Sequence, residues 1–566
     1  MTGTATAAAG PRPDRYKWVA LSNTTLGMFM ATLDGSIVII SMPAIFRGIK
    51  LDPLDAGNIA YLLWMVLGYL LVSAIFVVPL GRLGDMFGRV RIYNMGFLLF
   101  SIASLVLSLD PLAGRAGALW LIFGRMIQAL GGAVLMSNSA AILTDAFPVD
   151  QRGMALGVNQ IAGLSGQFLG LLAGGLLAAI DWRAVFWVNV PIGIVGTIWS
   201  YRSLRETGER HRTRIDWLGN ITFTAGMAAV LIAITNGIQP YHGHATGWSD
   251  PLVLAELFGG IALLVIFCVI ETRVAEPMVR MGLFRIRAFA TGNLAALMVA
   301  MARGGLQFML IIWLQGIWLP LHGYSYADTP LWAGIYLLPL TVGFLAAGPL
   351  CGHLADRYGA RPFATGGLLL VAASFIGMYF LPVDFNYDVF ALLIGINGVG
   401  QGMFSAPNTS AIMNSVPAAE RGAASGVRST FQNSGTALSI GIFFALMTAG
   451  LASSLPDQLT AGLTAHGVPS SVAHHVATLP PVSSLFAAFL GTNPIGHLLA
   501  PTGVLATLPA HAVATLTGTN FFPRLIAASF HDGLAVVFAA ATAMSLIGAG
   551  ASLLRGKRFV HDDHNS

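Results

Sequence analysis

One short polar motif occurs twice in this chain, and the repeat limits the folds that are open to it. The first copy is GRLGDMFGRVR at 81–91, and the second is GHLADRYGAR at 352–361. Each copy follows a long apolar run, as expected for a tight turn at the end of a membrane helix, where glycine permits close approach. The residues that recur in step are Gly81, Leu83, Asp85 and Gly88, which match Gly352, Leu354, Asp356 and Gly359.

A second pair of segments repeats in the same order. FPVDQRGMALG at 147–157 aligns without gaps with VPAAERGAASG at 416–426, at nearly the same distance from the first motif in both halves. One match alone would carry little weight, whereas two matches in register indicate an internal duplication. Many secondary transporters are built from repeats of whole membrane bundles. The sequence therefore predicts two similar halves.

The composition is typical of a polytopic membrane protein. Hydrophobic residues make up 55% of the chain and charged residues only 10%. The net charge of +5 gives no nucleic-acid signal, because the basic residues lie in short loops between apolar runs. The two cysteines imply neither a disulfide framework nor a metal cluster. We therefore expect an all-α membrane protein with no metal site and no nucleic-acid partner.

The apolar runs predict about fourteen transmembrane helices, arranged as six plus two plus six, because the middle two match neither half. The predicted divisions are a disordered cytoplasmic N-terminus at 1–16, an N-terminal six-helix bundle at 17–205, two linker helices at 206–280, a C-terminal six-helix bundle at 281–554 and a cytoplasmic tail at 555–566.

The C-terminal half contains an additional external segment at about 451–523. It is rich in Ala, Pro, Ser and His and includes the moderately apolar stretch SSLFAAFLG. An ordered external hairpin or a re-entrant piece is favoured over a disordered loop. The Pro and His interruptions argue against an extra pair of spans.

Basic residues concentrate in alternate loops, including those with the repeated motifs, and near both termini. The positive-inside rule then places both termini and both glycine turns on the cytoplasmic side of a cell membrane. The strong preference for arginine over lysine favours a bacterial source.

Charged residues inside apolar spans are functional candidates, because a charge at the centre of a membrane helix costs about 2.5–3.5 kcal/mol on insertion scales. They are Asp34, Arg125, Arg303 and Arg428. A carboxylate near an arginine in an apolar span can bind and release a proton near neutral pH, which suits Asp34 and Arg125. The alternative for this pair is a structural role in helix packing. Arg303 and Arg428 are open to either cavity lining or structural pairing.

Several polar and aromatic residues are candidates for hydrogen bonds and stacking in a substrate cavity: Gln128, Asn138, Trp313, Gln315 and Asn433. Trp313 equally suits a lipid-facing position. Glycines three or four apart predict close packing of the fifth helix: Gly163, Gly166, Gly170 and Gly174, followed by Gly175. The chain has no Walker phosphate loop, metal-ligand spacing or nucleophile elbow, so we expect no enzymatic activity.

On these motifs the chain resembles the major facilitator superfamily, and within it the fourteen-helix drug:proton antiporter family. The resemblance covers nearly the whole chain, except the first residues and 451–523. It rests on the loop motif (Gly81, Leu83, Gly84, Asp85, Gly88, Arg89, Arg91), on LDGSIVIISMPAI with Asp34 and Pro43, on Arg125, Gln128 and Gly132, and on DWRAVFWVNVPIG at 181–193. The positions that depart from the family pattern are Met86 for a basic residue, Ala129 for a glycine and Leu171 for a proline.

The resemblance implies a major facilitator fold, in which two six-helix bundles rock about a central cavity and inward proton flow drives export. Asp34 and Arg125 would couple the proton. The glycine turns would form a conformational gate consisting of Gly81, Asp85, Gly88, Arg89, Arg91, Gly352, Asp356, Arg357 and Gly359. The favoured function is proton-coupled efflux of amphipathic or cationic drugs and toxic compounds. We expect a monomer in the lipid bilayer that binds a small-molecule substrate, with protons as coupling ion and no cofactor.

Two other functions stay open. Arg303 and Arg428, together with the unusual segment at 451–523, suggest a dedicated exporter of an endogenous lipid or an anionic metabolite. A non-transporting receptor or scaffold is disfavoured by the charges within the spans of both halves.

Overall fold

The computed structural model describes residues 15–51, 58–148, 151–206, 216–239, 241–242, 246–277, 279–417 and 421–556. Within these ranges, fourteen helices are long and apolar enough to cross a membrane. The predicted all-α polytopic fold is therefore confirmed. The predicted N-terminal and C-terminal tails lie almost entirely outside the described residues.

The helices follow the predicted order of bundle, linker and bundle. The N-terminal bundle consists of α1 (Arg15–Gly48), α2 (Asn58–Phe87), α3 (Arg89–Ser108), α4 (Gly114–Ala146), α5 (Arg152–Ile180), α6 (Ala184–Trp187) and α7 (Asn189–Ser203). The linker helices are α8 (Trp217–Gly237) and α9 (Pro251–Glu271). The remaining helices are α10 (Arg287–Ile312), α11 (Leu319–Leu321), α12 (Thr329–Tyr336), α13 (Leu338–Tyr358), α14 (Ala360–Tyr379), α15 (Tyr387–Asn414), α16 (Arg421–Ala465), α17 (Ser470–Val476), α18 (Pro481–Phe489), α19 (Ile495–Leu499), α20 (Ala510–Thr517) and α21 (Phe521–Leu553).

Three predicted spans are interrupted rather than continuous. One is divided into α6 and α7, and another into α12 and α13. Pro339 lies in the first turn of α13, where its missing N–H costs no helical hydrogen bond. The third continues from α10 through a π-helical segment, Trp313–Trp318, into α11. Each of these three spans therefore crosses its bundle as consecutive helical segments and not as one regular α-helix.

The ends of the helices form two faces of the molecule. The hydroxyl of Tyr16 donates to the carbonyl oxygen of Arg205 at 3.0 Å, which joins the start of α1 to the end of α7. In the other half, Arg287 Nε donates to the carbonyl oxygen of Leu554 at 2.6 Å. We call this side, which also carries both glycine turns, the motif face. The other side is the opposite face.

The linker helices lie along the seam between the two bundles. They pack on each other through Phe223 and Phe267, whose ring centroids are 5.2 Å apart. Helix α8 contacts α2 from one bundle and α16 from the other. A Cβ added at Gly441 of α16 would lie only 2.8 Å from Ile234 Cγ2, so glycine permits this close contact.

The segment at 451–523 is helical, and part of it enters the molecule. Helix α16 continues to Ala465, and α17 to α20 follow before α21. Every residue of α18 is buried. The Phe486 ring stacks on Phe444 with centroids 5.2 Å apart, and the backbone of Phe489 lies against Gly316. The stretch SSLFAAFLG thus forms a buried helix within an ordered segment, while the choice between an external hairpin and a re-entrant piece stays a prediction.

Candidate functional site

A cavity lies between the two bundles. Its walls come from α1, α2, α4 and α5 on one side and from α10 and α16 on the other. Its empty volume, including the part open to solvent, is about 1010 Å³. In transporters that consist of two repeated helical bundles, substrates bind between the facing helices of the two bundles. This cavity is therefore the candidate binding site.

Asp34 and Arg125 form a buried ion pair beside this cavity. Arg125 Nη1 donates to Asp34 Oδ2 and also to Gln128 Oε1, the latter at 2.7 Å. Asp34 Oδ1 accepts from Gln128 Nε2 at 3.0 Å and from Asn189 Nδ2 at 2.6 Å. Asp34 is 0% exposed and Arg125 is 1% exposed. The carboxylate therefore has charge and hydrogen-bond partners that offset its loss of water.

Arg125 and Tyr69 separate Asp34 from the cavity. The Arg125 guanidinium lies 4.1 Å from the centroid of the Tyr69 ring, and both residues line the cavity, whereas Asp34 does not. The Tyr69 hydroxyl donates to the carbonyl oxygen of Ala31 at 2.9 Å, which fixes the ring against α1. These two side chains therefore lie between the Asp34 carboxylate and part of the cavity wall.

Sequence reasoning missed three members of this network: Tyr69, Ser104 and Asn189. Ser104 Oγ accepts from Gln128 Nε2 at 2.8 Å. An asparagine within an apolar span is a signal for a buried polar partner, so Asn189 was within reach of sequence reasoning. Tyr69 and Ser104 carry no such signal, because single hydroxyls in membrane helices also bond to their own backbone.

Arginines of the C-terminal bundle lie at the cavity wall. Arg303 of α10 and Asn433 of α16 line the central cavity, and Arg303 and Arg428 line a second, smaller cavity. Arg428 Nη2 donates to Gln160 Oε1 and to Gln432 Oε1, both at 3.4 Å. The bond to Gln160 crosses from one bundle to the other. These three predicted residues lie where a cavity ligand can reach them, while their role in binding stays a prediction.

Two residues that we predicted to line the cavity lie within packed regions. Trp313 is 0% exposed; its Nε1 donates to the carbonyl oxygen of Val383 at 3.2 Å, and its ring lies 4.8 Å from that of Phe385. Gln315 Nε2 donates to the carbonyl oxygen of Ile40 at 3.1 Å and so joins the bundles near the opposite face. The π-helical segment sets the rotation of both side chains, and its presence was not readable from the sequence.

The other two residues that we predicted to line the cavity but that do not line it lie on α4. Gln128 belongs to the Asp34 network and does not line the cavity. Asn138 Nδ2 donates to the carbonyl oxygen of Val134 at 3.0 Å, and Asn138 Oδ1 would lie 1.8 Å from a Cβ added at Gly84. Asn138 therefore packs on the glycine turn, because the missing side chain of Gly84 leaves room for it.

The first glycine turn holds α2, α3 and α4 together at the motif face. Arg89 Nε donates to Asp85 Oδ1 at 2.8 Å, and Arg89 Nη1 donates to Asp145 Oδ1 at 2.5 Å. The backbone N–H of Arg91 donates to Glu206 Oε1 at 2.9 Å. These contacts bind the turn to the ends of α4 and α7, as a latch on this face requires.

The second turn repeats the backbone of the first. Gly88 and Gly359 have φ values of 108° and 87°, a region that favours glycine, and each precedes the next helix. A Cβ added at Gly81 or Gly352 would lie 3.3 Å from a Cβ of the neighbouring helix in either half. The guanidinium of Arg357 lies 5.5 Å from the ring of Tyr358. The side chain of Asp356 lies outside the described residues.

The glycines of α5 face α1. A Cβ added at Gly166 or Gly170 would lie 2.5 Å from a carbonyl oxygen of α1, and one at Gly163 or Gly174 would also crowd that helix. Gly175 faces the other bundle instead, where an added Cβ would lie 2.5 Å from the carbonyl oxygen of Pro330. The stripe therefore allows close packing within one bundle and close contact between the two.

This combination of two repeated helical bundles, a central cavity and a buried ion pair defines a class of polytopic membrane proteins. The family model of the Major Facilitator Superfamily matches residues 24–440. The chain belongs to this superfamily.

Curated relatives are named for resistance, export and transport. The tetracenomycin C resistance and export protein of Streptomyces glaucescens is 26% identical over 542 residues, covering 95% of this chain and 92% of the relative. The multidrug transporter protein MdtP of Bacillus subtilis (strain 168) is 27% identical over 484 residues, covering 84% and 82%. The riboflavin transporter RibZ of Clostridioides difficile (strain 630) is 28% identical over 451 residues, covering 79% and 90%. The chain is therefore a multi-pass membrane transporter.

A solved structure shares the fold. The bacterial homologue of the human lysosomal transporter Spinster, in an inward-facing and unoccupied conformation, matches with a TM-score of 0.59 and 16% identity. The match covers 96% of this chain and 98% of that one.

Proposed function

We propose that this chain is a proton-coupled exporter of amphipathic organic compounds, including drugs and other toxic compounds, that works by alternating access. The observation that carries the proposal is the buried Asp34–Arg125 pair beside a cavity between two repeated bundles. The names of the curated relatives from Streptomyces and Bacillus support export as the direction.

In the described conformation, the bundles contact each other near the opposite face. Gln315 bonds to the Ile40 carbonyl there, and the rings of Phe168 and Phe344 lie 5.3 Å apart across the seam. The cavity lies near the middle of the helices, where Gly163 and Leu164 of α5 and Thr32 of α1 line it. With the motif face in the cytoplasm, as the basic loops predict, alternating access would load substrate into this cavity from the motif face and release it at the opposite face.

Protonation of Asp34 is the step that couples the gradient to transport. A neutral carboxyl group no longer attracts the Arg125 guanidinium as an anion does, so protonation weakens the bond between α1 and α4. Loss of the proton restores the pair. A membrane potential contributes about 2.3 kcal/mol per charge per 100 mV, which is enough to bias such a cycle strongly.

The proposal includes protons as the coupling ion without a further cofactor. It also includes a monomer in the cell membrane with both termini in the cytoplasm. The glycine turns would act as the conformational gate, and the bonds of Arg89 to Asp85 and Asp145 would hold the ends of α2, α3 and α4 together there.

Transport in proteoliposomes tests the proposal. Purified protein is reconstituted with an imposed pH difference, the membrane potential is clamped at zero, and ethidium, an uncharged amphipath and 2-naphthoate are each offered. One exchanged proton per substrate corresponds to about tenfold accumulation per pH unit, because one pH unit equals about 1.36 kcal/mol. Accumulation that disappears when an ionophore collapses the gradient supports the proposal. Equal accumulation with and without the gradient, or none for any compound, contradicts it.

A second candidate is a dedicated exporter of an anionic metabolite or lipid. It is favoured by Arg303 and Arg428, which place positive charge at the cavities. In the same assay it predicts gradient-driven movement of the anion alone.

A further inference from the structure

Arginines of the C-terminal bundle line the cavities without an acidic partner. Arg303 has no hydrogen bond or ion pair among the described residues, and its Nε is buried without a partner. Arg428 is 5% exposed; its Nη2 has only long contacts to two glutamine oxygens, and its Nε has none. Both guanidinium groups line the same small cavity, so their charges repel each other.

The described residues around these arginines supply no negative charge to them. No aspartate or glutamate is among the described residues that line either cavity. Helix α10 contains no acidic residue, and the first one in α16 is Asp457, far along the helix. By contrast, Arg125 has Asp34 as its partner. The unpaired arginines therefore carry a desolvation cost that an anionic ligand would offset.

The unused hydrogen-bonding groups at the wall of the central cavity point to the same chemistry. Buried atoms without a partner there include Arg303 Nε, Gln307 Nε2 and Asn433 Nδ2, and Arg428 Nε adjoins them in the second cavity. The oxygen of Gln307 already accepts from Gln167 Nε2 at 3.1 Å, which leaves its N–H₂ group free to donate. Each of these groups is a donor, so the complementary ligand group is rich in acceptors.

The remaining wall carries apolar side chains alongside polar ones such as Thr32, Tyr69 and Gln167. Met28, Ile39 and Leu70 line it from the N-terminal bundle, and Ile440 lines it from α16. This wall is suited to a hydrocarbon or aromatic body, whose burial is favourable. The cavity thus combines a positive, donor-rich wall on the C-terminal bundle with apolar surface on α1 and α2.

We infer that the substrate is an amphipathic organic anion, with a carboxylate or phosphate group that binds Arg303 and Arg428 and an apolar body against α1 and α2. This inference rests on the proposed function, because it takes the central cavity as the substrate site. It reverses the expectation of cationic drugs, since a cation would add a further like charge to this side.

Equilibrium binding tests the inference without any proton gradient. The protein is placed in phosphatidylcholine nanodiscs and titrated calorimetrically with 2-naphthoate, 2-naphthyl phosphate and the trimethyl(2-naphthyl)ammonium cation, which share one aromatic body. We expect at least about tenfold tighter binding of the anions than of the cation. Arg303→Gln and Arg428→Gln should each weaken anion binding about tenfold or more, because each removes a charged hydrogen-bond donor.

Two further variants make the test specific. Arg428→Lys keeps the charge and should retain most of the preference for the anion. Arg524→Gln, at an exposed arginine of α21, should bind all three probes as the wild type does. Thermal unfolding of every variant shows whether it folds. If Arg428→Gln does not fold, Arg428→Lys is compared with the wild type in its place.

Several outcomes would overturn the inference. They are equal or tighter binding of the cation, unchanged anion binding in both glutamine variants, and no anion binding by the wild type up to the solubility of the probes. Displacement of 2-naphthoate by phosphatidate in the nanodisc would show that the natural ligand is a lipid with an anionic headgroup. Displacement by soluble anions alone would show that it is a soluble anion.

Failure of gradient-driven transport with anion binding intact would contradict the proposed function, while the assignment of an anionic ligand to the cavity would stand.

Discussion

Neutralising one member of the Asp34–Arg125 pair should destabilise the protein more than neutralising both. The two side chains are 0% and 1% exposed, so a charge that loses its partner has no water to replace it. Breaking a buried pair in this way costs about 3–5 kcal/mol. We therefore expect a loss of this size for Asp34→Asn and for Arg125→Gln.

The double variant removes both charges and keeps amide groups in the place of both. Gln128 and Asn189, which bond to Asp34 in the wild type, still have partners. Because replacement of a whole buried pair is often close to neutral, we expect a loss of about 1–2 kcal/mol. The coupling energy between the two positions should then be about 4 kcal/mol or more, because the two single losses together exceed the loss of the double variant by that amount.

Reversible unfolding in bicelles, followed by tryptophan fluorescence, gives the required free energies of unfolding. Asp384→Asn is the matched control, because its carboxylate is exposed and lies 3.4 Å from His322. That change should alter stability by less than about 0.5 kcal/mol. If the double variant lost as much as the two single variants together, the reasoning would be refuted.

Three further predictions concern packing and the gate. Gly170→Ala should lower thermal stability and transport, because the added Cβ would lie 2.5 Å from a carbonyl oxygen of α1. Gly157→Ala on the same helix is the control, because its added Cβ would meet nothing within 4 Å. Equal melting temperatures of the two variants would contradict this prediction. Gly88→Ala should cost about 1–3 kcal/mol, because its φ of 108° suits glycine, and an unchanged unfolding free energy would refute the assignment. Phe486→Ala should cost about 3–5 kcal/mol by removing the ring that stacks on Phe444; a loss below about 1 kcal/mol would show that α18 is not held in the core.

The fold was predictable because its determinants are long and repeated. Each span is a long run of apolar residues, and the glycine turns recur at matching places in both halves. The proximity of Asp34 and Arg125 was also foreseeable, since two opposite charges inside apolar helices are costly apart. Neither argument depends on the detailed packing of side chains.

Positions that depend on helix rotation were not predictable. Trp313 and Gln315 belong to a π-helical segment, which no sequence pattern revealed, and neither residue lines the cavity. The burial of α18 depends on the space beside Gly316, which the short stretch SSLFAAFLG does not reveal. Tyr69 covers Arg125 through a contact between helices that no local pattern encodes.

The role of Asp34 as the proton carrier is tested most directly by comparing two transport modes in the same proteoliposomes. One mode is exchange of labelled substrate without a gradient, and the other is accumulation driven by a pH difference. We expect the wild type to perform both, and Asp34→Asn to retain exchange while its driven accumulation falls to the level without a gradient. An Asp34→Asn variant that accumulates substrate as the wild type does would contradict the account.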